Sequence, residues 1–137
     1  MEELKKEFYS ICDNTVLDLN TYYSEIVNTS SKDTKARTAE HYTFLGKLLN
    51  AVKATDDLTS KISAAIIEAD RLNDIALTRK LSALFDVCLE HRKNLEDYFS
   101  ASEAVLKQED SSLSPALRNR TDNLMRRTMK LKELSQI

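Results

Sequence analysis

Cys88 and His91 stand one helical turn apart with Glu90 between them, which places a thiol, an imidazole and a carboxylate within four consecutive residues. A thiolate beside a base is the arrangement of a nucleophilic cysteine, and the same three side-chain types ligate zinc. Neither chemistry has support around it. A nucleophile needs an open cleft and donors for an oxyanion, whereas Cys88 and His91 fall on a regular apolar stripe expected to be buried against neighbouring helices. A di-iron helical bundle carries Glu-x-x-His on two helices; the residues three before His91 and His41 are Cys88 and Thr38. His41, between Glu40 and Tyr42, reads as a rim residue. Cys12, the other cysteine, also lies on an apolar stripe, where a free thiol behaves as a small hydrophobe. Gly46 is the one glycine, so a glycine-rich phosphate loop has nothing to be built from, and no GxSxG, HExxH or CxxC occurs. The expectation is a protein without catalytic residues, metal or cofactor.

The remaining candidate for chemistry is electrostatic. Arg118, Arg126, Arg127 and Lys130 form a basic patch in the last stretch of the chain and have the charge to contact phosphates. That stretch has no aromatic residue to stack on a base. The first stretch offers an internal counterpart: residues 1–28 hold Lys5 and Lys6 against six acids, while residues 116–137 hold six cations against Asp122 and Glu133. The net charge is −2, too small to imply a partner by itself. Nucleic acid is therefore an unlikely ligand, and pairing of the two chain ends is expected.

What must position these residues is helical. One Gly and one Pro in 137 residues leave no turn chemistry for β-sandwiches, barrels or doubly wound α/β folds. The reading is all-α: an antiparallel bundle of four or five long, coiled-coil-like helices forming a single domain over 1–137, with a semi-independent basic C-terminal helix over 115–137. Leu4, Phe8, Ile11, Thr15, Leu19, Tyr22 and Ile26 trace one face of a first helix, from about 2 to 28. A second begins near 34, with Ser30 and Asp33 as its capping pair and Phe44, Leu45, Leu48, Leu49 and Val52 inward. Gly46 within it costs about 1 kcal/mol relative to Ala, a cost explained if another backbone approaches closely. The stripe resumes at Leu58, Ile62, Ile66 and Ala69. Asn73-Asp74 is the next candidate cap, and a break there is favoured.

From Leu77 the spacing alternates by four and three without a slip through Leu81, Leu84, Cys88, His91, Leu95, Tyr98, Ser102 and Val105, a narrow seam widened on one side by Phe85, Phe99 and Leu106. That helix would be about 45 Å long. Ser114 caps the last helix with Pro115 at its first position. There Leu117, Leu124 and Leu131 keep heptad spacing, while Thr121, Thr128 and Ser135 make the seam half polar. The polar seam positions point to helices completed by another protein: Leu77, Leu81, Leu84, Cys88, His91, Leu95, Tyr98, Leu117, Leu124 and Leu131 are the candidate partner interface.

Tyr23-Ser-Glu-Ile-Val-Asn-Thr29, Asn50-Ala-Val-Lys-Ala54 followed by Leu58, and Leu72-Asn-Asp74 resemble stretches of the small helical head-module subunits of the Mediator transcription coactivator, over roughly residues 8–75. The resemblance implies a chain that pairs with another small helical subunit in a nuclear assembly and contacts the RNA polymerase II machinery. The functional expectation is a non-catalytic interaction or scaffold subunit with other helical subunits as partners. The alternative is a small cytosolic helical chaperone or escort for a client helix. No apolar run reaches the ~20 residues of a membrane span and MEELKKEF has no signal-peptide character, so a nuclear or cytoplasmic, non-secreted protein is expected.

Overall fold

The structure, a computed structural model, describes the backbone of residues 1–28, 34–106 and 115–136, and the side chains of 1–22, 42–102 and 119–136. Four helices are present among the described residues: α1 (Glu2–Asn28), α2 (Thr34–Arg71), α3 (Ile75–Leu106) and α4 (Pro115–Ser135). No strand occurs among the described residues. α1 packs on α2, α2 on α3, α3 on α4 and α4 back on α1, closing a four-membered ring of helices. The expected stripes supply the core because residues three and four apart share one helix face. Phe8, Ile11, Thr15, Leu19 and Tyr22 of α1 are buried, as are Leu58, Ile62 and Ala69 of α2.

The chain from 34 to 106 forms two helices, and the break falls at Asn73-Asp74. Asn73 adopts a left-handed conformation, φ 58°. Its N–H donates to the Asp70 carbonyl at 3.0 Å, and the Asp74 N–H donates to the Ala69 carbonyl at 2.9 Å. This is the Schellman closure, with Asn in the position that glycine more often fills. Asp74 then opens α3 directly: its Oδ1 accepts the Leu77 N–H at 3.1 Å, and its carbonyl accepts the Thr78 N–H at 3.0 Å. A terminator and a cap on adjacent residues turn the chain within three positions. Thr55-Asp56-Asp57 makes no such break. Thr55 donates its hydroxyl to the Ala51 carbonyl at 2.7 Å, satisfying itself inside a continuous helix.

The core has two apolar clusters. One joins Phe8, Ile11 and Cys12 of α1 with Leu58 and Ile62 of α2, Leu81, Leu84 and Cys88 of α3, and Leu131 of α4. The other joins Leu19 and Tyr22 with Phe44, Leu45 and Leu48, Leu95 and Tyr98, and Leu124. At roughly 1.5–3 kcal/mol for each fully buried large side chain, these clusters supply most of the cohesion. Aromatic contacts cross the second cluster. Tyr22 stacks on Phe44 at 4.3 Å, Phe44 meets Tyr98 edge-on at 6.1 Å, and Tyr98 Oη lies 2.8 Å from Thr121 Oγ1. All four helices are thereby linked.

Two expectations within α2 are corrected. Leu49 is exposed rather than inward, because the inward face is already filled by Leu45, Leu48 and Val52. Gly46 sits on the outer side with no atom within 4 Å of where its Cβ would be, so no backbone approaches it. The proposed Ser30–Asp33 and Ser114 caps lie outside the described residues, but α4 does begin at Pro115.

These local features give two expected outcomes in thermal or urea unfolding. Gly46→Ala stabilises the fold by about 1 kcal/mol, since the glycine serves no packing need. Asp74→Ala, by removing the acceptor for the Leu77 N–H, destabilises it by about 1 kcal/mol.

Candidate functional site

The seam assigned to a partner is occupied by the chain itself. Leu81, Leu84, Cys88, His91, Leu95 and Tyr98 of α3 are buried within the bundle, together with Leu124 and Leu131 of α4. Leu77 is half-buried against the first cluster, and the Leu117 side chain lies outside the described residues. The partner-interface assignment is corrected to this extent: in the closed bundle these side chains meet α1, α2 and each other. The stripe of α1 and the stripe of α2 provide the apolar faces that the sequence reading sought in a second protein.

Between the two clusters, every helix contributes a buried polar residue: Thr15 from α1, Thr55 from α2, His91 from α3, which also buries Asn94, and Thr128 from α4. The threonines satisfy their hydroxyls locally. Thr15 donates to the Ile11 carbonyl at 2.8 Å, Thr55 to Ala51 at 2.7 Å and Thr128 to Leu124 at 2.8 Å. His91 does not. Neither Nδ1 nor Nε2 has a hydrogen-bond partner among the described residues, and the ring meets Phe8 edge-on at 5.9 Å across the core. Burial depresses its pKa from 6.5 to about 4, so the imidazole is neutral at pH 7.

The cysteines sit in the same cluster and are free. Both thiols are pushed up to about 12, by burial at Cys88 and, at Cys12, by burial first with smaller contributions from Cys88 and Asp13. A thiol so protonated is a poor nucleophile and a poor ligand. Glu90 is exposed while Cys88 and His91 are buried, so the three do not converge on one point. Among the described residues no group of three or more His, Cys, Asp or Glu side chains is placed to hold a metal ion. The His41 side chain lies outside the described residues.

The basic patch is on the outside. Arg126, Arg127 and Lys130 are exposed on α4, and the Arg118 side chain lies outside the described residues. Arg126 bonds Asn123 and faces Asp122 at 3.8 Å on its own helix. Of the six cations counted in 116–137, Lys132 pairs with α1, meeting Asp13 at 2.7 Å. Arg127 and Lys130 have no ion-pair partner among the described residues. On the same helix Met129 is 53% exposed toward the groove with α1, and Leu134 is 48% exposed toward the groove with α3. This mixed apolar and cationic outer face was legible in the sequence as the residues lying off the seam, but a search for seams passes over it.

No helix among the described residues is long and apolar enough to cross a membrane. No family model, curated protein or solved structure matches the chain.

The buried layer dictates a pH response. His91 takes up its proton near pH 6.5 when the chain is unfolded and near pH 4 when it is folded. Between those values the unfolded state binds more protons, so stability is complete above about pH 6.5 and falls as the pH drops toward 4. The slope in that window approaches about 1.4 kcal/mol per pH unit. Urea midpoints for His91→Leu are expected to lose this component of the pH dependence and, at pH 7, to equal or exceed those of the unsubstituted chain. An unpaired buried imidazole replaced by an apolar side chain of similar volume removes a desolvation cost. Iodoacetamide labelling supplies a second check: Cys12 and Cys88 are expected to resist the reagent in the native protein and react promptly in denaturant.

Proposed function

We propose that this chain is a non-catalytic helical subunit that binds other helical proteins through the outer face of α4. The single observation that carries the reading is the exposure of Met129 on the helix that also exposes Arg126, Arg127 and Lys130. An exposed apolar side chain with cations on the same helix suits an amphipathic partner helix that brings its own apolar stripe and flanking carboxylates. Met129 supplies the apolar contact, and the cations select an acidic partner.

The underlying architecture in this reading is an antiparallel, up-down-up-down bundle with coiled-coil-like seams. The cross-helix pairs support it. Glu7 early in α1 meets Lys61 late in α2 at 2.7 Å, and Tyr98 in α3 reaches Thr121 early in α4. Lys132 late in α4 meets Asp13 early in α1. Arg92 of α3 is held by Asp56 of α2 and by Glu96 at 2.5 Å on its own helix. Such a bundle presents α4 as a rigid surface that needs no rearrangement to bind. The resemblance of segments in residues 8–75 to small Mediator head-module subunits makes a nuclear transcription coactivator the first assembly to examine.

Native purification of the tagged chain, washed at low and then high salt, is expected to retain a fixed set of helical proteins at stoichiometric ratio. Met129→Glu together with Arg127→Glu should abolish that retention while leaving the helical content and melting temperature nearly unchanged. Absence of any stoichiometric partner, or retention indifferent to the α4 substitutions, overturns the reading.

A further inference from the structure

The α2–α3 hairpin outruns its neighbours at one end of the bundle. α4 stops at Ser135, which lies beside Leu84 in a groove, whereas α3 continues from Leu84 back to Ile75 past the end of α4. Beside them lies a groove of about 240 Å³ with Met1, Leu84, Val87 and Leu134 as its apolar lining and Lys5 and Lys80 on its sides. Neither lysine has an ion-pair partner among the described residues.

The hairpin tip beyond this groove has the opposite character. Leu72 is 61% exposed and Ile75 67% exposed, on either side of the Asn73-Asp74 turn. Asp70 and Asp74 flank them. Glu68 is already closed by Arg71 at 2.6 Å, so it does not compete for an outside cation. Arg79 stands further along α3 as the tip's remaining cation. Asp74 uses Oδ1 for the cap of α3 and has Oδ2 for a further contact. An apolar knob between two carboxylates and an apolar groove between two ammonium groups thus occur at the same end of one molecule. The knob cannot fold back into its own groove, because α2 and α3 are continuous helices held apart from it by their packing.

We propose that this end of the bundle is a self-association surface. Two copies pair end to end about a two-fold axis, Leu72 and Ile75 of each entering the groove of the other, with Asp70 and Asp74 against Lys5 and Lys80. The pairing is isologous, so it closes at a dimer and does not propagate. It occupies the α2–α3 end of the bundle and takes Leu134, while Met129, Arg126, Arg127 and Lys130 of α4 line no part of the groove. It is therefore independent of the partner reading above and is tested on the purified chain alone. The contact is confined to a tip and a groove, which places it among the small, transient interfaces.

Sedimentation equilibrium across micromolar to millimolar concentrations reads the outcome. The chain is expected to show a reversible monomer–dimer equilibrium that weakens with salt. Leu72→Gln combined with Ile75→Gln should eliminate the dimer; both side chains are exposed, and circular dichroism verifies that the helices persist. Lys80→Asp alone and Asp70→Lys alone should each raise the dissociation constant about tenfold, since two-fold symmetry removes two rim ion pairs per substitution. The double variant Asp70→Lys with Lys80→Asp should recover most of the loss. A chain that stays monomeric over the whole range, or a dimer indifferent to both the tip and the charge substitutions, overturns the proposal.

Discussion

The burial of one narrow stripe from each helix is the constraint on which the rest of this structure depends. A single helix of this length and composition has little reason to persist in water, because nucleation is costly and most helical stability comes from packing an amphipathic face. Here four such faces meet, and Phe8, Leu58, Leu81 and Leu131 close one end of the core while Leu19, Leu48, Leu95 and Leu124 close the other. The ion pairs between helices, Glu7–Lys61 and Asp13–Lys132, lie at the surface and add little beyond register. What organises the molecule is shape and apolar area, with the charges arranged around them.

Against that background the central layer is the costly feature. Thr15, Thr55 and Thr128 avoid a penalty by bonding the carbonyl one turn back in their own helices, a solution open to any threonine in a helix. His91 has no such solution, since its ring nitrogens reach past the backbone. The layer lowers stability where an all-leucine seam would raise it. A polar position in an otherwise apolar seam disfavours helix registers that would set it against leucine, so the layer bears on uniqueness of packing. The same layer makes the core sensitive to acid, because burial suppresses the charged form of the imidazole.

The surface follows from what the core leaves over. Each stripe takes roughly 100° of the helix circumference, and side chains off the stripe face outward whatever their polarity. Leu17, Leu49, Ile67, Leu89 and Met129 are exposed for this reason. Most stand singly, as exposed apolar residues commonly do. At two places they gather with charge: on α4 around Met129, and at the α2–α3 tip around Leu72 and Ile75. The first lies on a helix flank and the second at the turn between α2 and α3.

Much of this was present in the residue order. The all-helical class with four or five helices, the stripes of Phe8 to Tyr22 and of Leu81 to Tyr98, and the cap at Asn73-Asp74 follow from local rules: apolar spacing, left-handed tolerance of Asn, and a carboxylate able to bond a free N–H. Gly46 could not be interpreted locally, because its meaning depends on what stands opposite, and nothing does. The fate of the α3 seam was equally beyond reach, since a seam of leucines with Cys88 and His91 is written the same way whether its partner is another chain or α1 and α2 of its own. Periodicity records that a face will be buried and is silent about the neighbour. Only the tertiary arrangement decided that the bundle closes on itself and that Thr15, Thr55, His91 and Thr128, far apart in sequence, fall between the same two clusters. Those outcomes depend on distances between helices, which no local pattern encodes.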